Sequence, residues 1–467
     1  MVGRLWLAIL FSSLTCACIA AAEDQQDLNR QFQSAVAQFD AGKYPEAAAQ
    51  LEKLLPSAPN SFEVHELLGM VYASLSLDAK AIEQLQAAVR LKPDSPEART
   101  NLAASLSRAG DTQRAGEQFE KALELEPGNF SANHNMAEFY IQSGKIADAR
   151  PLLEKAQQID PTSYDNGYDL AQADLLTGRL ADARIAIRQL LQKKNTGELH
   201  SLLGEVEEKD GKFVAAANEF ETAAQMDPSE DNLFDWGSEL LLHRTYDPAI
   251  EVFRAATRHY PESPRLQIGL GMALYARGLY EDAVKALLAA ADLAPSDARC
   301  YQFLSKAYES SPQQADEVIQ RFRRYAEMEP TNARGQYYFA MSLWKGRRAE
   351  DASFDVKTVE SLLEKSIALD GNFPQSHLQL GSLYADQHDY QKSVPELLRA
   401  LELDPDLPDA HYRLGTDYVH LGQKDRAQAE FATYQKLRAQ HLAEVDKERA
   451  EVQEFVYSAK SAPGNKP

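Results

Sequence analysis

Prolines recur at a fixed spacing along most of this chain. The first four lie 34 residues apart, and after one missing proline near Asn195 the series continues in steps of 33 to 35 before closing at the last one: Pro59, Pro93, Pro127, Pro161, Pro228, Pro261, Pro295, Pro330 and Pro405. Proline cannot extend a helix and disfavours α geometry in the residue before it, so each one marks a helix end. The period predicts one repeat array, although the length of 467 residues alone would suggest about three domains.

Small residues recur inside each repeat when the proline is counted as position 32. Position 8 holds Ala35, Gly69, Ala103, Ala137, Ala171, Gly204, Gly237, Gly271, Ser305, Ala340, Gly381 and Gly415. Position 20 holds Ala47, Ala81, Ala115, Ala149, Ala183, Ala216, Ala249, Ala283 and Ala427, with Ser393 at the equivalent place. Position 27 holds Ala88, Ala122, Ala156, Ala223, Ala256, Ala290 and Ala400. Small residues at these places let two antiparallel helices approach closely, and the Leu, Phe and Tyr residues between them fill the seam.

The composition favours an α-helical fold, and the net charge argues against nucleic acid as a partner. The chain is rich in Ala, Leu, Glu and Gln and has 9% aromatic residues. It carries 70 acidic against 49 basic residues, a formal net charge of −21. Such a surface repels phosphate backbones and anionic lipids, so the sequence predicts no nucleic-acid partner.

The pattern of positions 8, 20, 27 and 32 resembles that of the tetratricopeptide repeat (TPR) family. The resemblance covers about residues 28–441 in about twelve repeats. It implies an all-α fold, a right-handed α-solenoid of helix-turn-helix repeats whose concave groove is lined mostly by the first helix of each pair. The expected organisation is a signal peptide at 1–22, the solenoid at 23–441, and the end of a C-terminal capping helix with a flexible tail at 442–467.

Two repeats between residues 298 and 373 diverge from the pattern. One has Val318 at position 20 and an unusual turn, "ESSPQQADE", and the next has about seven extra residues around "GRRAEDASFDV", which predict a longer loop between its two helices. Several basic residues lie in this part of the chain: Arg321, Arg323, Arg324, Lys345, Arg347 and Arg348. They are interpreted either as an ordinary solvated face or as a patch for an acidic partner.

The amino terminus predicts export. Arg4 precedes the apolar stretch "LWLAILF" and the small-residue segment "CIAAAED", which is typical of a signal peptide cleaved after Ala22. The alternatives are a lipoprotein modified at Cys18 and an uncleaved membrane anchor, the only cases in which a membrane would be a partner. A periplasmic or extracellular location follows, and Cys300 would be the single cysteine of the mature chain.

No motif for catalysis or for metal or phosphate binding is found, so we expect no enzyme activity, cofactor or metal. Histidines 65, 200, 377 and 411 occupy position 4, where a flat ring packs between the helices of a pair. Asn129 is either a glycosylation acceptor or a helix cap. In "FSANHNMAEFY" the register assigns Asn133 to packing and places His134, Asn135 and Glu138 on or beside the groove, as one rung of a peptide-binding surface.

The groove face supplies the functional hypothesis. Position 6 reads Asn101, Asn135, Asp169 and Asp235, interrupted by Leu202. Some TPR proteins carry an asparagine ladder there, which clamps the backbone of an extended peptide because an amide both donates and accepts hydrogen bonds. The aspartates accept only, and ordinary family consensus is the competing explanation. Aromatic residues at groove positions 5, 6 and 12 would be apolar anchors: Phe234, Tyr275, Tyr337, Tyr338, Trp344 and Tyr412.

The sequence therefore predicts an exported, non-enzymatic scaffold that binds a peptide or protein segment in its groove. Two alternatives stay open. One is a targeting or regulatory arm of a transferase-type enzyme complex. The other is an envelope assembly factor tethered to the membrane by the N-terminal segment.

Overall fold

The computed structural model describes residues 26–311, 314–346 and 355–439. Within these ranges the chain forms 24 α-helices and no β-strand. The helices are α1 (26–40), α2 (Tyr44–Leu54), α3 (Phe62–Ser74), α4 (Asp78–Leu91), α5 (Pro96–Arg108), α6 (Thr112–Leu125), α7 (Phe130–Gln142), α8 (Ile146–Ile159), α9 (Tyr164–Leu176), α10 (Leu180–Lys193), α11 (Gly197–Lys209), α12 (Phe213–Met226), α13 (Glu230–Leu242), α14 (Tyr246–His259), α15 (Pro264–Arg277), α16 (Tyr280–Leu293), α17 (Ala298–Ser310), α18 (Ala315–Met328), α19 (Ala333–Gly346), α20 (Val356–Leu369), α21 (Pro374–Asp386), α22 (Tyr390–Leu403), α23 (Pro408–His420) and α24 (Lys424–Ala439). A single 3₁₀ turn, Leu55–Ser57, follows α2.

The helices pack in pairs. Each odd-numbered helix (the first helix of a pair) packs on the even-numbered helix after it (the second helix), as α3 does on α4 and α21 on α22. Turns of about three residues, such as 75–77, join the two and keep them antiparallel. The chain divides into two compact units, residues 1–195 and 196–467. The all-α repeat fold expected from the proline period is confirmed.

Small residues hold each pair together. The alanines at positions 20 and 27 are buried, and the glycines at position 8 lie directly against the position-24 side chain of the second helix. A methyl group added at Gly271 would lie 2.5 Å from Leu287, and one at Gly237 would lie 2.8 Å from the ring of Phe253. Separations this short admit no side chain, so position 8 is small because a larger residue would push the helices apart.

Helix starts are capped by side chains. Ser61, Ser95 and Ser163 each accept a hydrogen bond from a backbone N–H in the first turn of the helix they begin. Asn129 does the same for α7, where its Oδ1 lies 2.9 Å from the N–H of Ala132. The cap predicted for Asn129 is therefore confirmed, and capping supplies a partner to amide groups that the helix itself leaves unpaired.

The side chain at position 4 makes a recurring hydrogen bond in several of the repeats. It reaches the carbonyl oxygen six residues earlier, which His65 does to Pro59 (3.1 Å) and Asn133 does to Pro127 (3.1 Å). Most also contact a side chain nineteen residues later on the second helix, where His377 Nδ1 lies 2.7 Å from Glu396 Oε2. Arg99 and His411 make both contacts, Tyr301 reaches the Pro295 carbonyl, and His200 contacts Glu219. The packing role predicted for position-4 histidines is confirmed, with hydrogen bonds added.

Replacing His377 tests this contact. We expect His377→Leu to lower the free energy of unfolding by about 1–3 kcal/mol, because the buried ring donates Nε2–H to the Gly371 carbonyl (3.2 Å) and leucine leaves that oxygen without its donor and Glu396 without its contact to Nδ1. His377→Asn should cost less, since asparagine keeps the carbonyl bond as Asn133 does at the same position. Urea unfolding followed by circular dichroism measures both variants. Equal unfolding midpoints would show that the carbonyl bond contributes nothing.

The divergent region keeps its helices. Residues 347–355 separate α19 from α20 where other pairs have about three, so the extra residues lie between the two helices of one pair, as predicted; 347–354 fall outside the described residues. Arg321 and Arg324 both bind Asp292, at 2.8 Å and 3.1 Å. These two arginines share one carboxylate within the fold, and the patch for an acidic partner stays a prediction.

Cys300 lies buried in α17. Burial, with a smaller contribution from the charge of Asp297, raises the pKa of its thiol to about 12. The thiol is therefore protonated at neutral pH and unreactive, which agrees with a chain stabilised by packing.

Several sequence predictions lie outside the described residues. These are the signal peptide at 1–22 with Cys16 and Cys18, the tail from 442, and most of the capping helix, of which α24 is the described part. They stay predictions. No helix of the described residues has both the length and the apolar character needed to cross a membrane.

Candidate functional site

The predicted site residues all lie on first helices, in two separate groups. Asn101 (α5), His134, Asn135, Glu138 (α7) and Asp169 (α9) belong to the unit 1–195. Phe234, Asp235 (α13), Tyr275 (α15), Tyr337, Tyr338, Trp344 (α19) and Tyr412 (α23) belong to the unit 196–467.

Two predicted anchors at position 5 are core residues. Phe234 has no exposed surface, with its ring 6.3 Å from that of Phe253 and under the guanidinium of Arg265 (5.1 Å). Tyr337 is buried against Phe373, 5.2 Å away. The prediction that they present free aromatic surface is wrong, because the start of the next first helix, at Arg265 or Phe373, covers position 5.

Two further predicted anchors, Tyr275 and Tyr338, are half-buried. Tyr275 lies 5.5 Å from Tyr280, and Tyr338 lies 5.7 Å from both Phe322 and Tyr337. Both pack against the hydrophobic core. The prediction that these two tyrosines are free anchors is therefore corrected, because part of each ring belongs to the core.

Tyr412 is different because it lies in the last described pair. It is 51% exposed, with Phe431 (6.0 Å) and Tyr434 (5.2 Å) of α24 beside it. No further helix pair follows among the described residues, so nothing there covers position 5. Tyr412 is the predicted anchor that presents the most surface.

The prediction that Trp344 is a free anchor is wrong, because it is 7% exposed and packs in a core cluster with Met341 and Leu380. What remains exposed of Trp344 lines one of two cavities that share residues, and Tyr412 lines the other. The first, of about 330 Å³, is lined by Trp344, Lys345, Gln379, Asp386 and Arg413. The second, of about 510 Å³, includes Asp386, Tyr390, Tyr412, Arg413, Thr416 and His420. Asp386 and Arg413 belong to both and form an ion pair at 3.3 Å. We call these two cavities together the Arg413 groove.

The floor of the Arg413 groove is held by polar contacts. Asp417 is buried and accepts a hydrogen bond from Ser393 Oγ at 2.5 Å. Burial raises the pKa of the Asp417 carboxyl, while the bond from Ser393 and the charges of Arg413 and His420 oppose that rise. The rings of Tyr390 and His420 stack at 4.5 Å. The groove thus offers aromatic faces, a guanidinium and an ammonium group, a set suited to binding a peptide side chain and a carboxylate.

Several groove residues were missed from the sequence, although the register could have found two of them. Gln379 and Arg413 occupy position 6, the same position as Asn101 and Asn135. The ladder prediction stopped at Asp235 because it followed asparagine and aspartate alone. Lys345, Asp386 and His420 lie near the ends of their first helices and give no comparable signal.

In the unit 1–195, position 6 presents two amides. The side chains of Asn101 and Asn135 are half-buried, and neither has a hydrogen-bond partner among the described residues. An amide without a protein partner is available to a ligand backbone. Asp169, the next member, lies instead near His134, whose Nδ1 is 3.9 Å from its Oδ2.

His134 is the centre of a polar cluster that the sequence did not assemble. Its Nε2 lies 3.7 Å from Glu138 Oε1, and its Nδ1 lies 3.2 Å from Asn166 Oδ1. Burial raises the pKa of Asp169 to about 6, with the charge of His134 opposing and those of Glu138 and Asp165 adding. One ligand-type atom from each of His134, Glu138 and Asp169 lies within 4.8 Å of the others, the one such group of three in the described residues.

Three family models match the chain. Two described as "Tetratricopeptide repeat" match residues 106–154 and 141–206, and 32–96 and 234–298; a third, described as "TPR repeat", matches 381–422. Together they cover more than half of the sequence. No curated protein matches it.

Several solved structures are similar to the chain, at low sequence identity. The Naa15/Naa10 complex bound to HypK-THB has 16% identity and a TM-score of 0.34, over 87% of this chain and 68% of that one. PilW, a type IV pilus biogenesis factor, has 23% identity and a TM-score of 0.40, over 44% and 96%. PilF of Pseudomonas aeruginosa has 20% identity and a TM-score of 0.37, over 43% and 93%.

The family models agree with the packing of the helices. The matched segments fall in both units, and the small residues that define the repeat are the ones in contact across each pair. The chain belongs to the tetratricopeptide repeat family.

Proposed function

We propose that this TPR protein is a non-enzymatic scaffold that binds an extended segment of a protein partner along its first helices. Repeat arrays of this family present extended surfaces for protein partners. The observation that carries the proposal is the Arg413 groove, in which Tyr412 stays exposed and Lys345 and Arg413 supply positive charge.

The residues of the Arg413 groove indicate the chemistry of the partner segment. Tyr412 supplies apolar contact at low entropic cost, and Arg413 and Lys345 add positive charge to a chain whose net charge is −21. A segment with an aromatic or aliphatic side chain next to a carboxylate matches this set. The carboxylate would compete with Asp386 for Arg413, now 3.3 Å away.

The amides of Asn101 and Asn135 support binding of backbone in the other unit. They lie one repeat apart on α5 and α7, and both are without a partner among the described residues. An amide pairs with a peptide unit whatever its side chains are. Two amides one repeat apart and unpaired within the described residues favour a peptide-binding asparagine ladder over the alternative, that asparagine is simply the usual family residue at position 6.

Selection from a phage-displayed library of random linear peptides tests the proposal. We expect peptides that bind the purified chain, and Tyr412→Ala should weaken their binding about tenfold or more because the exposed ring is the apolar contact. Fluorescence anisotropy measures the affinity. The matched control is Leu398→Ala, an exposed apolar residue of the second helix α22, which should leave binding unchanged.

The same peptides separate the two surfaces. The double variant Asn101→Ala with Asn135→Ala should weaken peptides that contact α5 and α7, whereas Gln113→Ala with Gln158→Ala, on second helices, should not. Failure to enrich any peptide, or equal binding by Tyr412→Ala, the asparagine double variant and the wild type, contradicts the scaffold proposal as stated.

A further inference from the structure

A cluster on α7 and α9 combines an imidazole with two carboxylates. We propose that His134, Glu138 and Asp169 form a binding site for one divalent transition-metal ion of the zinc class. Imidazole and carboxylate are ligands that such ions prefer, and three protein ligands leave the remaining coordination positions open. This inference goes beyond peptide binding and does not depend on it.

The hydrogen bonds of Asn166 fix the tautomer of His134. Asn166 Nδ2 donates to the carbonyl oxygen of Leu153 (3.0 Å) and to Gln157 Oε1 (2.8 Å). A carbonyl oxygen only accepts, so the amide cannot be reversed, and its Oδ1 must face His134 Nδ1 at 3.2 Å. Nδ1 therefore carries the proton in the neutral ring, and Nε2 presents its lone pair toward Glu138.

The ring is also held in place. It stacks on Phe130 with centroids 5.6 Å apart and planes 16° apart, and only 15% of the side chain is exposed. Metal-binding histidines typically donate their other ring N–H to an oxygen that sets the tautomer and orientation. Asn166, itself buried, fills that role here.

The spacing of the three side chains suits one ion. Ligand bonds of about 2.0–2.2 Å in tetrahedral geometry place neighbouring ligand atoms about 3.3–3.5 Å apart. His134 Nε2 and Glu138 Oε1 are 3.7 Å apart, and Asp169 Oδ2 lies 3.9 Å from Nδ1 of the same ring. One ring nitrogen and one oxygen of each carboxylate lie within 4.8 Å of one another, and Asp169 must turn toward Nε2 to share the ion. The Glu138 side chain is half-exposed, so a rotation about its side-chain bonds closes the difference and leaves the ion accessible to solvent.

The charges of the cluster also call for a cation. When both are ionised, Glu138 and Asp169 place two negative charges beside one imidazole. A divalent ion neutralises both carboxylates. A lone proton on His134 neutralises one.

Isothermal titration of the untagged, EDTA-treated chain with Zn²⁺ tests the site. We expect one ion per chain, and His134→Ala and Asp169→Asn should each weaken its binding at least tenfold. Glu138→Gln should weaken it as well, and this variant keeps the test valid if the other two misfold, since the side chain is half-exposed. Co²⁺ in place of Zn²⁺ should give the visible absorption bands of a low-symmetry site.

His243→Ala is the matched control. Its Nε2 lies 3.3 Å from Glu239 Oε1, four residues away at the end of α13, and this His–Glu pair belongs to no group of three metal-ligand residues in the described part of the chain. This variant should bind Zn²⁺ as the wild type does. No saturable binding, or one-to-one binding that survives in all three cluster variants, overturns the proposal.

Discussion

Replacing Phe253 with alanine is expected to lower the free energy of unfolding by about 3–5 kcal/mol. The ring is fully buried between two first helices: a methyl group at Gly237 would lie 2.8 Å from it, and one at Gly269 would lie 2.6 Å from it. Its removal leaves a cavity that rigid helix backbones on both sides cannot close. Urea unfolding monitored by circular dichroism measures the loss.

The control for Phe253→Ala is Val214→Ala, because Val214 is 78% exposed and its replacement should change stability by less than about 0.5 kcal/mol. A companion pair tests the same contact from the opposite side. Gly269→Ala should cost about 1–3 kcal/mol by overpacking the ring, whereas Gly128→Ala, with open space around it, should not. A loss below about 1 kcal/mol for Phe253→Ala would show that the helices collapse into the space.

Replacing Arg150 with methionine is expected to cost about 3 kcal/mol at neutral pH. Arg150 Nε lies 2.5 Å from Oδ1 of the buried Asp174, and the next cation, Arg179, is 3.6 Å away. Without Arg150 the carboxylate stays buried with one distant partner. Glu154→Gln is the control, since it removes the half-exposed carboxylate that also binds Arg150 (3.0 Å) and should cost less than about 1 kcal/mol.

The cost of Arg150→Met should depend on pH in one direction. Burial raises the pKa of Asp174 above its ordinary value, and the hydrogen bond and charge of Arg150 hold that rise down. A raised carboxyl pKa means that the folded chain binds more protons than the unfolded chain, so stability falls as pH rises. The variant raises this pKa further. Its loss of stability should thus be largest at pH 7–8 and shrink toward pH 4, and a loss independent of pH would contradict the explanation.

The fold was predictable because the proline period and the small residues act locally. Gly271 must be small because Leu287, sixteen residues later in the same pair, fills the space beside it. Both residues belong to one repeat, so the sequence of that repeat contains the whole constraint. The histidines at position 4 reach one partner in their own repeat and one, the proline carbonyl, at the end of the repeat before it.

The site was less predictable because its exposure depends on the following repeat. Phe234 and Tyr412 both occupy position 5, yet one is covered by Arg265 and the other is half-exposed. The cluster at His134 likewise needs Asn166 and Asp169 from the next first helix. Register identifies the face on which a residue lies, and the neighbouring side chains decide whether it stays accessible.

The position-4 hydrogen bonds also bear on how such a chain can lengthen. The donor, the carbonyl six residues before it and the acceptor nineteen residues after it fall within a single period of the sequence, as at His65, Arg99 and His411. A duplication or deletion of one whole period therefore carries every partner of this contact along with it. The gene can gain or lose a helix pair in register without leaving a stranded polar group at the junction.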